Sequence, residues 1–464
     1  TTIGRVTTST PSLDLHDSFK AYDVRGIVGE SITAESVRAV GAAFVDVLGL
    51  AGHTVLVGGD MRPSSPAFMT AFAEGATRRG ADVVTLGLIS TDMLYYAAGV
   101  KQAAGVVFTA SHNPAEYNGM KMAQAGAVPV SSDTGLFEIR DAAQAYLDAG
   151  EIPAAETAGT VTEEDILPGY AAYLRSLVDL TGVRRLKVVV DAGNGMAGKT
   201  TPAVLGDAEL AALPLEIEPL YFELDGTFPN HPANPLEPEN LRDLQAAVVE
   251  HGADIGLAFD GDADRCLAVD SSGEVVDGDQ IMAVLATGMK ESNSLKDNTL
   301  VATVMSNLGL KLAMQREGIT MKQTKVGDRY VLEELGRGGY SLGGEQSGHI
   351  VVPAFATTGD GTLSGLLLMA RMAETGKSLE ELAGVMKVLP QVLINVPVSD
   401  KSCIIDAEDV KAAVAEVEAE LGDNGRVLLR PSGTEEVFRV MVEASEQEQA
   451  RKIAGRLAAV VSSV

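Results

Sequence analysis

Three short β-branched runs punctuate this chain: "TVLVGG" at 54–59, "LKVVVDAG" at 186–193 and "TLVATVM" at 299–305. Each ends in turn-prone residues, and helical patterns lie between them. In "TAESVRAVGAAFVDVL", Val37, Val40, Phe44, Val47 and Leu48 fall on one helical face, with Thr33 placed to cap it. Strand, turn and helix in alternation allow few architectures, because the helices must cover the faces of a largely parallel sheet. The runs start over a hundred residues apart. They predict three similar α/β domains with mixed, mainly parallel sheets.

The last segment has another rhythm. "DAEDVKAAVAEVEAEL" (406–421) carries Val410, Val414, Val417 and Leu421 on one face. "RVLLRPSGTEEVFRVMVEA" then reads strand, loop, strand, and "EQEQARKIAGRLAAVV" a closing helix. This predicts a smaller α+β C-terminal domain. The expected divisions are 1–157, 158–274, 275–388 and 389–464.

Composition narrows the partners. A net charge of −28 opposes binding to nucleic acid or anionic membrane, so neither is expected. Cys266 and Cys403 lie far apart, without metal-type spacing or a disulfide framework. No run of 18 or more uncharged apolar residues appears, and "TTIGRVTTSTPSLDLHDS" does not read as a signal peptide. A cytoplasmic monomer or weak dimer acting on a small molecule is expected.

Four stretches share one plan: "GVVFTASHNP", "IGLAFDGDADR", "GYSLGGEQSGH" and "RVLLRPSGTE". In each, an apolar strand runs out into a polar loop, and ligands of open α/β sheets bind at such strand ends. In "DGDADR", Asp260, Asp262 and Asp264 alternate. Three adjacent carboxylates repel one another unless a hard cation such as Mg²⁺ holds them. An EF-hand needs glycine at its sixth position and glutamate at its twelfth, where this loop has Arg265 and Ser271. In "RPSGTE", Arg430, Ser432, Gly433 and Thr434 supply a guanidinium fork, hydroxyls and an approachable backbone, which suits a phosphate. In "GGEQSGH", Glu345, Ser347 and His349 alternate and so point one way, as partners for sugar hydroxyls. Ser111 of "TASHNP" is a weak nucleophile until a base or cation activates it. His112 adjoins it, but neighbouring side chains in an extended loop diverge, which argues against a Ser–His dyad. Lys121 follows in "YNGMK", and Tyr22 and Arg25 stand three apart in "FKAYDVRG".

The four loops, in this order and over nearly the whole chain, resemble those of the α-D-phosphohexomutase family. "TASHNP" is similar to the family's phosphoserine loop, "DGDADR" to its magnesium loop, "GEQSGH" to its sugar loop and "RPSGTE" to its phosphate loop. Within the family, "FKAYDVRG", "TASHNPAEYNGMK" and "DGTFPNHPANPLEPENL" resemble the bacterial phosphomannomutase/phosphoglucomutase group. "GGEQSGHI" and "VGDRYV" (326–331) are shared with the glucosamine enzymes instead. Met305 stands where some dual-specificity mutases carry lysine, and Asp328 where they carry histidine.

The resemblance implies four domains around a central cleft and a phosphoserine enzyme. It would interconvert mannose 6-phosphate and mannose 1-phosphate, and glucose phosphates as well, with hexose 1,6-bisphosphate as intermediate and activator. The resemblance implies that Mg²⁺ sits on Ser111, Asp260, Asp262 and Asp264. It implies catalytic roles for Arg25, Ser111, His112, Lys121 and His349. Substrate binding would fall to Tyr22, Arg265, Gly327, Asp328, Glu345, Ser347, His349, Arg430, Ser432, Gly433 and Thr434. The fourth domain would close over bound sugar phosphate to exclude water. Three other readings stand beside this one: a phosphoglucosamine mutase, a phosphatase using Asp260 as nucleophile, and a non-catalytic phosphosugar-binding protein.

Overall fold

The computed structural model describes residues 11–180, 184–432 and 435–464. The first sheet orders its main strands as Val24–Ile27, Tyr117–Gln124, Ala104–Phe108, Thr54–Gly59, Asp82–Leu88 and Val161–Glu163. The last four are parallel, and the first two antiparallel. The second sheet holds Leu186–Asp191, Leu215–Leu220 and Ile255–Phe259 in parallel, with Cys266–Asp270 and Val275–Val276 antiparallel. In the third, Thr299–Thr303 pairs in parallel with Thr320–Thr324 and with Gly343–Gly344, and Ile350–Val351 returns antiparallel. The fourth is an antiparallel three-stranded sheet carrying the helices Glu408–Leu421 and Gln447–Ser462. The architecture is three α/β domains with mixed, mainly parallel sheets plus a smaller α+β domain.

The local signals act as their chemistry dictates. The helix Ala34–Leu48 begins at Thr33, whose hydroxyl accepts from the Ser36 N–H while the Ser36 hydroxyl accepts from the Thr33 N–H. It ends at Gly49, with φ 68°, a left-handed position glycine takes without steric cost. A continuous apolar core runs from Leu56 and Leu94 through Val190 and Leu257 to Leu300 and Met369, and so joins the first three sheets. The fourth domain buries its own cluster around Phe438, Val440 and Ile453. It can therefore move as a unit without opening the larger core. No described helix is long and apolar enough to cross a membrane.

Where the first three domains meet, two carboxyl groups are buried against each other. Asp92 lies in the first turn of the helix Thr91–Val100. Asp360 caps the helix Gly361–Thr375, accepting from the Leu363 N–H at 2.9 Å and from Tyr170 Oη at 2.8 Å. Both Asp92 carboxyl oxygens are buried with no hydrogen-bond partner among the described residues, and the neighbouring Asp360 charge adds to the burial cost of ionising it. Burial pushes Asp360 up to about 6 and Asp92 well above the carboxylate range. An acid whose folded pKa is raised binds more protons folded than unfolded between the two pKa values. Its stabilising effect is therefore lost as pH rises from about 4 through about 6. Relative to Asp360→Asn, wild type should lose about 3 kcal/mol over that window, measured by urea unfolding at both ends. A pH-independent difference between the two proteins would refute this.

Candidate active site

All four polar loops occupy the same place in their domains: each is the connection of a hairpin. Ala104–Phe108 returns as Tyr117–Gln124, Ile255–Phe259 as Cys266–Asp270, Gly343–Gly344 as Ile350–Val351, and Arg426–Pro431 as Val437–Glu443. A hairpin connection projects beyond the sheet edge. The second and third loops thereby reach a shared cleft, whereas no residue of the first loop lines it: Ser111 is buried behind it, against the second loop.

In the first loop, Ser111 is buried with φ 52°, in the left-handed region. Its N–H donates to Thr109 Oγ1 at 2.9 Å, and its hydroxyl donates to Asp260 Oδ2 at 3.0 Å. The left-handed turn corrects the extended-loop expectation, because Ser111 Oγ and His112 Nδ1 come within 3.4 Å. His112 is nevertheless a poor base. Burial, reinforced by Arg265 and Arg25, pushes its pKa down to about 4. Its Nδ1 accepts from Arg265 Nη1 at 3.2 Å. Arg25 pairs with Asp23 at 2.8 Å and donates to Asn113 Oδ1 at 2.6 Å, so it braces the loop.

The second loop is packed directly on the first: a Cβ on Gly261 would lie 2.4 Å from the Ser111 carbonyl oxygen. Asp260, Asp262 and Asp264 are all buried and offer oxygens within 4.8 Å of one another. Lys121 donates to Asp262 Oδ2 at 2.8 Å and to Asp264 Oδ2 at 2.9 Å. Burial, then Asp262 and Asp264, raises Asp260 well above the carboxylate range. At Asp264 burial is outweighed by Lys121, His349 and Arg265 together, and its carboxyl lies well below that range. Burial is outweighed at Lys121 too, where Asp262 and Asp264 hold it protonated. Asp262 Oδ1 and Asp264 Oδ1 are buried with no hydrogen-bond partner among the described residues. Unpartnered carboxylate oxygens so placed fit a hard divalent cation.

The third loop is a tight turn, in which the Gly348 N–H donates to the Glu345 carbonyl. Alternation therefore fails: Glu345 and His349 line the cleft, whereas the Ser347 hydroxyl is buried with no partner among the described residues. The Gly327 N–H donates to Glu345 Oε1 at 3.3 Å. Gly327 has φ 127°, and a Cβ there would lie 2.7 Å from Tyr22 Oη, so glycine is required. Burial, with Asp328 adding to it against His349 and Arg265, raises the Glu345 carboxyl.

The cleft has a volume of about 550 Å³. Tyr22, Arg25 and Lys121 line it from the first domain, Asp264 and Arg265 from the second, and Gly327, Asp328, Glu345 and His349 from the third. A larger cavity of about 850 Å³, lined by Leu335, Tyr340 and Phe355, contains none of these residues. Of the fourth loop, Gly433 and Thr434 lie outside the described residues, and neither Arg430 nor Ser432 lines the cleft. Arg430 stands opposite Arg439 across the strand pair. Arg439 pairs with Glu435 at 3.3 Å, and the two facing cations leave Arg430 and Arg439 as neighbouring candidates for holding phosphate. Arg62, Arg439 and Thr91, whose hydroxyl donates to Asp262 Oδ2 at 2.6 Å, were missed in the sequence. Arg62 had a usable signal, because "TVLVGGDMR" is one more apolar strand running into a charged loop.

Phosphoglucomutase/phosphomannomutase domain models match the whole arrangement: alpha/beta/alpha domain I over 16–148, II over 168–273, III over 277–389 and the C-terminal domain over 393–460. The chain belongs to this family of α-D-phosphohexomutases, isomerases that use Mg²⁺. A phosphoglucosamine mutase of Corynebacterium aurimucosum is 51% identical over 457 residues, covering 96% of this chain and 99% of its own. A phosphoglucosamine mutase of Corynebacterium efficiens is also 51% identical, with the same coverage. A crystal structure of a phosphoglucomutase/phosphomannomutase family protein from Burkholderia thailandensis superposes with a TM-score of 0.80 at 28% identity, covering 96% of this chain and 97% of that one.

These relatives correct the expected mannose specificity: the near full-length likeness is to phosphoglucosamine mutases. The longest of the three misleading motifs sits away from the cleft, although Tyr22, Arg25 and Lys121 of the other two line it. None of residues 225–241 lines the cleft. Phe228 packs on Arg62 with the guanidinium 5.3 Å from its ring centre, and His231 binds Asp191 at 2.8 Å. That stretch packs behind the loop that carries Ser111 and away from the cleft. The two motifs shared with glucosamine enzymes supply Gly327, Asp328, Glu345 and His349, which do line the cleft.

Proposed function

We propose that the chain is a phosphoglucosamine mutase, interconverting glucosamine 6-phosphate and glucosamine 1-phosphate through a phosphorylated Ser111. The observation carrying this reading is the 51% identity to enzymes of that name across 96% of the chain. The cleft supports it. Neither Asp328 nor the raised, largely buried Glu345 has an ion-pair partner among the described residues, and both face the cavity. A C2 ammonium supplies the missing positive charge, and a C2 hydroxyl does not.

Phosphoserine 111 gives its phosphoryl group to the free sugar hydroxyl: the Oγ–P bond breaks as the sugar O–P bond forms, giving glucosamine 1,6-bisphosphate. The same bisphosphate serves as activator for dephosphorylated enzyme. The bisphosphate turns over and returns its other phosphate to Ser111. Asp260, Asp262 and Asp264, with Ser111 beside them, would hold Mg²⁺, which would supply positive charge at the transferring group. Lys121 is held protonated by its carboxylates, so His349 takes the hydroxyl proton and later returns it. Arg265 adds charge beside Asp260, with its N–H donating to Asp260 Oδ1 at 3.2 Å. Arg430, Ser432, Gly433, Thr434 and Arg439 grip the phosphate that is not reacting. Tyr22 and Glu345 hold the ring. A coupled assay should give a kcat/KM for glucosamine 1-phosphate about 10²-fold above those for glucose and mannose 1-phosphates. Equal or better turnover of mannose 1-phosphate would overturn the assignment.

A further inference from the structure

One guanidinium holds the nucleophile loop from behind. Arg62 follows the strand Thr54–Gly59 and is 1% exposed. Its Nη1 donates to the carbonyls of Pro114 at 2.8 Å and Tyr117 at 2.9 Å. Its Nη2 donates to those of Ser111 at 3.1 Å and Asn113 at 2.8 Å. Its Nε lies 3.3 Å from Asp60, which is itself fixed by the Arg62 N–H at 3.0 Å and the Ser65 hydroxyl at 3.1 Å. The second domain closes over the arginine: Phe228 covers it, and a Cβ on Gly226 would fall 2.6 Å from its Cα.

Four carbonyls converging on one point repel one another unless a donor lies between them. A planar fork with several donors satisfies all four at once, which a lysine ammonium on a flexible stem cannot do. The conformation so fixed includes the left-handed Ser111, which costs on the order of 1–3 kcal/mol and persists only if its surroundings impose it. The hydroxyl direction toward Asp260 follows from that backbone.

We propose that Arg62 is a positioning residue for phosphoryl transfer: by gathering these four carbonyls it sets the Ser111 turn and the aim of Oγ at the aspartate triad. It touches neither sugar nor cation. Phe228, from the second domain, keeps the fork in its plane, so the nucleophile and the aspartates are held in register by a contact outside the cleft. This inference rests on the mutase reading above.

The test compares Arg62→Lys and Phe228→Ala with wild type in glucosamine 1-phosphate turnover. A displacement of about 1 Å at the nucleophile is expected to lower kcat about 10²-fold in Arg62→Lys. KM and the Mg²⁺ concentration for half-maximal activity should stay within about threefold, because the sugar and cation sites are untouched. Phe228→Ala leaves all four carbonyl bonds in place, and should lower kcat about threefold to tenfold with the same unchanged KM. This second variant keeps the proposal testable if Arg62→Lys does not fold. Wild-type kcat in folded Arg62→Lys, or in Phe228→Ala, would overturn it, as would a KM that rises in step with the loss of kcat. An inactive wild type would instead overturn the mutase reading.

Discussion

Ser111→Ala is expected to lower kcat by about four orders of magnitude or more, with no inorganic phosphate released. Two features of the site set this expectation. The Ser111 hydroxyl donates to Asp260 at 3.0 Å, which points it at the aspartate triad. Asp260 itself is raised well above its ordinary range, first by burial and then by Asp262 and Asp264, and its Oδ2 already accepts the Ser111 hydrogen bond. A phosphatase working through Asp260 would keep most of its activity in Ser111→Ala and would accumulate phosphate. That pair of results would sink the phosphoserine mechanism. Mass spectrometry of the peptide spanning Thr109 to Lys121 should find the phosphoryl group on Ser111 in active enzyme.

Stripping divalent cations with a chelator should cost about a thousandfold in kcat, restored by Mg²⁺. Without a cation, Lys121 and the Arg265 guanidinium, 4.0 Å from Asp260, face three buried carboxyl groups. Mg²⁺ should therefore also raise the melting temperature, an effect that does not depend on turnover. Asp262→Asn removes one of the two unpartnered oxygens' carboxylates, and should lose both the activity and the thermal response. Full activity in ion-free protein would refute the assignment of these residues.

The sequence was readable wherever one residue's chemistry acts locally. Thr33 caps its helix because a hydroxyl before an apolar-periodic run does so in most settings. The three aspartates announce a cation because like charges two apart need one. It was unreadable wherever a function depends on the direction a chain takes. Glu345, Ser347 and His349 alternate in sequence, but the turn at Gly348, with φ 91°, breaks the alternation and leaves Ser347 off the cleft. Ser111 and His112 seemed bound to diverge until the left-handed φ brought them within 3.4 Å. Arg62 acts on carbonyls 49 to 55 residues on in its own domain, and Asp92 faces Asp360 across a domain boundary, partners that no spacing reveals. The sugar was misread because the longest recognisable stretches are those that build the scaffold, and scaffold is what related enzymes of different specificity share.

The fourth domain is fastened to the third at one end of its sheet. Arg426 donates to the Val304 and Ser306 carbonyls at 2.7 and 2.6 Å and pairs with Glu443 at 2.7 Å. Glu443 in turn accepts from the Leu308 N–H at 2.9 Å. Arg430 lies on the same strand, about 13 Å further along at the usual rise per residue. In the proposed function the strand would serve as a lever, with its fulcrum in the third domain and Arg430 near the tip that would read phosphate. A rotation of about 20° at the fulcrum carries the tip about 5 Å on that arm. Such an arm offers the same grip to a phosphate at either end of a sugar that turns over beneath it, so the symmetry of the substrate's two ends is met by reach and not by a second binding loop.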